Sequence, residues 1–144
     1  MAMFFTDPQL YATEGVVIGE QLEQAPLTCA RLEPTHIAGS RILRVTSACR
    51  RKIFGENWLA VGDSASSYDP LSGRGILKAL RHGAGAARAI AEGSFESYAA
   101  LVRREFQDYV RQRRTFYADE QRWPGSNFWS RRAREVNSAP KNTL

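Results

Sequence analysis

Asp63 stands directly after the run Trp58-Leu59-Ala60-Val61-Gly62, and six residues further on the chain reads Asp69-Pro70-Leu71-Ser72-Gly73-Arg74-Gly75-Ile76. The apolar run has the length and bulk of a short core strand. Gly62 lets the backbone turn sharply, so that Asp63 emerges at the strand's carboxyl end, where ligands of open α/β sheets gather. The loop from Tyr68 to Gly75 combines a proline with two glycines, and helical patterning starts at Ile76. A helix start leaves unpaired backbone N–H groups aimed outward, which suits anionic or carbonyl-bearing ligand atoms. A carboxylate that accepts hydrogen bonds and amides that donate them would together hold a polar ligand.

Gly62-Asp63 followed by Asp69-Pro70-Leu71-Ser72-x-x-Gly75-Ile76 resembles the second FAD-contacting motif of the flavoprotein monooxygenases, the para-hydroxybenzoate hydroxylase-type superfamily that also holds flavin-dependent halogenases and geranylgeranyl-reductase-like enzymes. The halogenase-like branch is the closest in pattern. The resemblance implies FAD as cofactor, Asp63 as hydrogen-bond partner of the ribityl chain, and the backbone at Gly75-Ile76 facing the isoalloxazine ring. The cofactor-binding residues it marks are Gly62, Asp63, Pro70, Gly73, Arg74, Gly75 and Ile76, with no catalytic side chain and no metal ligand. Ser64 and Ser66 depart from the alanine, or alanine and histidine, frequent in the family, and Gly73-Arg74 replaces a common Ser-Gln. Arg74 could place a cation near the flavin N1/O2 edge, where negative charge collects, or it could lie at the surface.

The resemblance runs from roughly the first residues to Trp129 and implies an α/β fold class, here an α+β fragment. That fragment is the C-terminal portion of an FAD/NAD(P)-binding Rossmann-type flavoprotein with part of its substrate-domain sheet. On this reading residues 1–50 are a remnant of the substrate-binding sheet region, 51–94 the second FAD-contacting motif and its helix, 95–136 a C-terminal helical region, and 137–144 a disordered tail. Family members begin with a strand-turn-helix carrying Gly-x-Gly-x-x-Gly, which cradles the pyrophosphate. The 144 residues contain no such run; Gly83-Ala84-Gly85-Ala86-Ala87-Arg88 follows no strand and reads as close helix packing. The expectation is a truncated, split or mis-started flavin-dependent oxidoreductase, monooxygenase or halogenase-like. It would not act alone, and an N-terminal half encoded upstream would be its partner. Its substrate would be a small molecule or a protein side chain. The alternative is a non-catalytic remnant or partner-binding module.

Composition fits a single unit of modest core: 43% of residues are hydrophobic. No run approaches the 18 or so apolar residues that span a bilayer, and Met1 to Phe5 is too short for a signal-peptide core, so the expected compartment is cytoplasmic. Cys29 and Cys49 lack Cys-x-x-Cys spacing and read as buried free thiols. The net charge of +5 is uneven: residues 1–62 hold six basic and six acidic side chains, residues 95–144 ten against six. An arginine-rich helix face in solvent accounts for this better than a nucleic-acid footprint, since no nucleic-acid motif accompanies it.

The elements that must position the motif are read from periodicity. Ala2 to Thr6 and Arg41 to Cys49 pattern as strands, with Val45, Ser47 and Cys49, or the opposite parity, available to line a pocket. Gly15 to Gln24 patterns as a short helix and Leu27 to Glu33 as a further helical turn. A helix over Gly75 to Glu92 is expected to bury Ile76, Leu80, Ala84, Ala87 and Ala91, leaving Lys78, Arg81, Gly85 and Arg88 on another face. An aromatic stripe from Phe95 to Tyr117 predicts a second, core-facing helix running from Phe95 to near Glu120, and Phe128 and Trp129 a last one. His36 reads as a loop residue and His82 as an exposed helix residue, both structural, and Asp69, before Pro70, as a side chain that caps the turn.

Overall fold

Proline at the start or left-handed glycine at the end bounds several helices of this protein. The computed structural model describes residues 4–15, 17–32, 39 and 41–137. Helix α1, Pro8–Glu14, starts after an extended Asp7 with proline in its first turn and stops at Gly15, which takes φ 59. Proline at the start and left-handed glycine at the end are favoured helix punctuation. Helices α2, Ile18–Glu23, and α3, Pro26–Cys29, follow. The described residues before α1, Phe4 to Thr6, hold no strand, and His36 lies outside the described residues.

Two units divide the chain: residues 1–43 with 120–144, and residues 44–119. In the first, the last helix, Asn127–Asn137, carries arginines that meet α1's cap, with Arg132 Nη1 2.9 Å from Asp7 Oδ1. The arginine patch is thus partly internal pairing, and α1's buried residue is Leu10.

The second unit holds the motif. Strands β1, Ala48–Cys49, and β4, Ser66–Ser67, pair antiparallel, as do β2, Phe54–Gly55, and β3, Trp58–Leu59. Helices α4, Gly75–Glu92, and α5, Phe95–Asp119, complete it. This is an α+β arrangement, and both strand pairings among the described residues are antiparallel. The expected strand from Arg41 shrinks to Ala48–Cys49, because only these two residues find a partner strand; Ile42, Leu43 and Val45 stay exposed. Phe54–Gly55 and Trp58–Leu59 make a tight hairpin, in which Gly55 lies so close under the Trp58 indole that a Cβ there would collide with its Nε1.

The core joins Ile53, Ala60 and Ala65 of the strand region to Ala86 and Ala89 of α4 and Tyr98, Ala99 and Val102 of α5. Small residues let the two helices approach, and a Cβ on Gly85 would sit 3.3 Å from the Tyr98 ring. The face of α4 that meets α5 is therefore not the one that periodicity selects. Lys78 and His82 are buried with Ala86 and Ala89, while Ile76, Leu77, Leu80 and Ile90 are exposed, Ile76 at 81%. The tyrosine and valine side chains of α5 supply bulk, so small partners on α4 pack better than its leucines and isoleucines.

Tyr98 donates from its hydroxyl to the Ala60 carbonyl at 2.9 Å in this core. Tyr98→Phe leaves that carbonyl buried without its partner, and chemical denaturation is expected to show a loss of about 1–3 kcal/mol.

Candidate functional site

The turn that carries Asp63 is built by three neighbours. Val61 is extended, and Gly62 takes φ 60, a region that costs other residues about 1–2 kcal/mol. Ser64 then closes the turn reciprocally: the Val61 N–H donates to its Oγ at 2.9 Å, and that hydroxyl donates to the Val61 carbonyl at 2.8 Å. Asp63 rides on this turn with 80% of its side chain exposed.

The following loop is tied to α5 by Tyr109. The Asp69 N–H donates to the Tyr109 hydroxyl at 2.7 Å, and that hydroxyl also pairs with Ser47 Oγ at 2.6 Å. Asp69 Oδ1 accepts from the Leu71 N–H at 3.0 Å and so caps a single 3₁₀ turn, Pro70–Ser72. Its Oδ2 accepts from the Tyr117 hydroxyl and from Arg113 Nε at 3.4 Å. The sequence reading of Asp69 as a capping side chain agrees with this. Gly73, at φ 63, turns the chain into α4, whose first ladder bond runs from the Lys78 N–H to the Arg74 carbonyl. The amides of Gly75 to Leu77 stand ahead of that ladder, as at any helix start.

These elements line an open cavity of about 550 Å³. Arg44, Val45, Thr46 and Ala48 form one side, Asp63, Ser67 and Tyr68 another, and Asp69, Pro70, Ser72 and Gly75 the third. The segment at Thr46 is held by Ser67, whose hydroxyl donates to the Thr46 carbonyl at 2.6 Å. Among the residues marked by the motif, Asp63, Pro70 and Gly75 line one cavity. Gly62 is buried against Ala79, and Gly73 is exposed at the entry to α4. Arg74 is exposed and donates to Gln112 of α5, and Ile76 is exposed. Val45 lines the cavity, Ser47 is turned to Tyr109, and Cys49 packs against the core.

Two residues at the site escaped the sequence reading. Lys78, only 3% exposed, brings its ammonium 2.5 Å from Asp63 Oδ1, onto the Ser66 carbonyl, and 4.4 Å over the Tyr68 ring. Tyr68 in turn stacks on Tyr109, ring centroids 4.0 Å apart and nearly parallel. Burial, with Glu105 nearby, pushes the Tyr68 phenol up to about 12. The signal for Lys78 was its spacing: 78, 82, 86 and 89 mark one helix face rich in small residues, opposite the large apolar ones.

His82, expected at the surface, is fully buried. Its Nε2 lies 3.3 Å from Glu105 Oε2, whose other oxygen pairs with Arg81 at 2.6 Å, and its ring meets Tyr98 edge-on. Burial lowers its basicity, although Glu105 acts the other way. Burial also raises the Cys49 thiol. Cys29 and Cys49 are free and half-buried. Among the described residues no cluster of His, Cys, Asp or Glu could hold a metal, and no helix is long and apolar enough to cross a membrane.

Comparison with known proteins gives one informative likeness. The chain is 35% identical over 80 residues to a Marinomonas mediterranea protein named "Putative FAD-dependent oxidoreductase LodB". The match covers 54% of this chain, and the chain spans about a fifth, 22%, of that protein's length. No family model matches the sequence, and no solved structure matches it.

With its basicity lowered in the fold, His82 binds fewer protons than it does in the unfolded chain. Its contribution to stability is present above the unfolded value, about 6.5, and is lost as pH falls below it. Unfolding midpoints are expected to drop between about pH 7.5 and about pH 5.5, and His82→Gln to flatten that decline. An unchanged slope in the variant would remove His82 as its source.

Proposed function

We propose that this chain is the flavin-facing portion of an FAD-dependent oxidoreductase, with the cavity at Asp63, Tyr68 and Gly75 receiving the ribityl chain and isoalloxazine ring. The observation that carries the reading is the convergence of Asp63, Pro70 and Gly75 on one cavity. The likeness to a protein named as an FAD-dependent oxidoreductase supports it from outside the structure.

The residues present fit such a group. Asp63 Oδ1 is committed to Lys78, and among the described residues its Oδ2 has no hydrogen-bond partner, as a hydroxyl-bearing chain would require. The start of α4 offers amide donors to carbonyl oxygens. FAD, when bound, supplies the redox chemistry, so the chain's own task is to bind, orient and exclude water. That division of labour accounts for a cavity without nucleophile and base in register. Within flavin enzymes, the Asp69-Pro70-Leu71-Ser72 pattern points to the monooxygenase and halogenase-like class, with a small molecule or a protein side chain as substrate.

A second reading draws on the exposed stripe Ile76, Leu77, Leu80 and Ile90. Four large apolar side chains on one helix are a partner surface in waiting, and the stripe begins beside Gly75 at the cavity. The same surface would serve a pyrophosphate-binding half, encoded upstream, in a split enzyme or another protein in a non-catalytic module. Flavin binding separates the two.

Riboflavin carries the ring and ribityl chain without the pyrophosphate, so it is the probe matched to this cavity. Titration of the purified chain is expected to quench flavin fluorescence, and Asp63→Ala to weaken binding about ten- to a hundredfold. Binding that is absent, or equal in the variant, would overturn the assignment of Asp63. FAD should gain on riboflavin only when the complementary half is added.

A further inference from the structure

Lys78 has no place in the flavin motif, yet it is a buried cation with three partners in the second unit. Its ammonium pairs with Asp63, donates to the Ser66 carbonyl and lies over the Tyr68 ring. A buried lysine is costly, and an apolar side chain of equal length would suit the α4–α5 packing at least as well. The contacts show what the charge does instead: it joins the Asp63 turn, β4 and the aromatic side of the cavity through one atom.

We propose that Lys78 is a positioning residue for ligand recognition, acting through Asp63; this rests on the flavin reading for the identity of the ligand. An aspartate with 80% of its side chain exposed would ordinarily exchange among rotamers in water. Held at Oδ1, it keeps one rotamer and presents Oδ2 as a single acceptor, the geometry for one hydroxyl of a polyol chain. The ammonium also cancels the carboxylate's charge at the cavity wall. A ligand carrying phosphate is therefore not repelled there, and a cationic ligand gains nothing from Asp63.

The two consequences separate in a test with Lys78→Met, which keeps the length and removes the charge. NMR three-bond couplings in the ligand-free chain are expected to report one Asp63 χ1 rotamer in the wild type and averaging in the variant. Riboflavin binding should weaken up to about fivefold, the range of an ion pair with one exposed partner. FMN, which adds a phosphate, should weaken further than riboflavin, and Lys78→Met combined with Asp63→Asn should return the FMN-to-riboflavin ratio to its wild-type value. A merely structural lysine would lower both affinities equally and leave the ratio unmoved in every variant. An unaveraged Asp63 in Lys78→Met, or a ratio that does not recover in the double variant, would overturn the proposal. Should wild-type chain bind no flavin while the couplings respond as stated, the flavin reading falls and the hold of Lys78 on Asp63 stands.

Discussion

The packing of the small-residue face of α4 on the aromatic face of α5 is the constraint from which the site follows. Ala86 and Ala89 let α4 settle against Tyr98, Ala99 and Val102, and the same rotation of the helix carries Lys78 and His82 inward. Once inside, each needs a partner, because a buried polar group without one is costly. Lys78 finds Asp63 at the cavity, whereas His82 only approaches Glu105 of α5, at 3.3 Å, and makes no hydrogen bond with either ring nitrogen. The large apolar residues of α4 are turned outward by that rotation. One packing choice thus produces the positioned carboxylate, the buried histidine and the exposed stripe.

Tyr109 works as the second fixed point. Its ring supports Tyr68 and its hydroxyl joins Ser47 to the backbone of Asp69, so residues distant in sequence meet at one phenol. The loop with its proline and glycines is free to turn sharply, but Asp69 pins it by capping its 3₁₀ turn and by reaching Tyr117 and Arg113 on α5. The loop that carries the motif is thus tied to α5 through Tyr109, Arg113 and Tyr117.

Much of the local structure was legible in the sequence. The span of α4 from Gly75 to Glu92, the reach of α5 to Asp119, the turn at Gly62 and the capping role of Asp69 all follow from glycine, proline and periodicity. Helix α1 was missed although Asp7-Pro8 and Gly15 bracket it, since seven residues give too short a period to read. The strand expected from Arg41 failed because β-propensity without a neighbouring strand buries nothing. The facing of α4 failed for a different reason. Hydrophobic periodicity finds the largest apolar stripe, and here the packed stripe is the small one. The ion pair at Asp63 and the burial of His82 depend on that facing, so neither could be read before it was known.

A backbone amide NMR titration of the purified chain with riboflavin is the most direct test of the flavin-facing cavity. Shifts concentrated at Asp63, at Tyr68 to Gly75 and at the Arg44 to Thr46 wall are expected, saturating together. Shifts confined to the exposed side of α4, or an unchanged spectrum at saturating riboflavin, would contradict it.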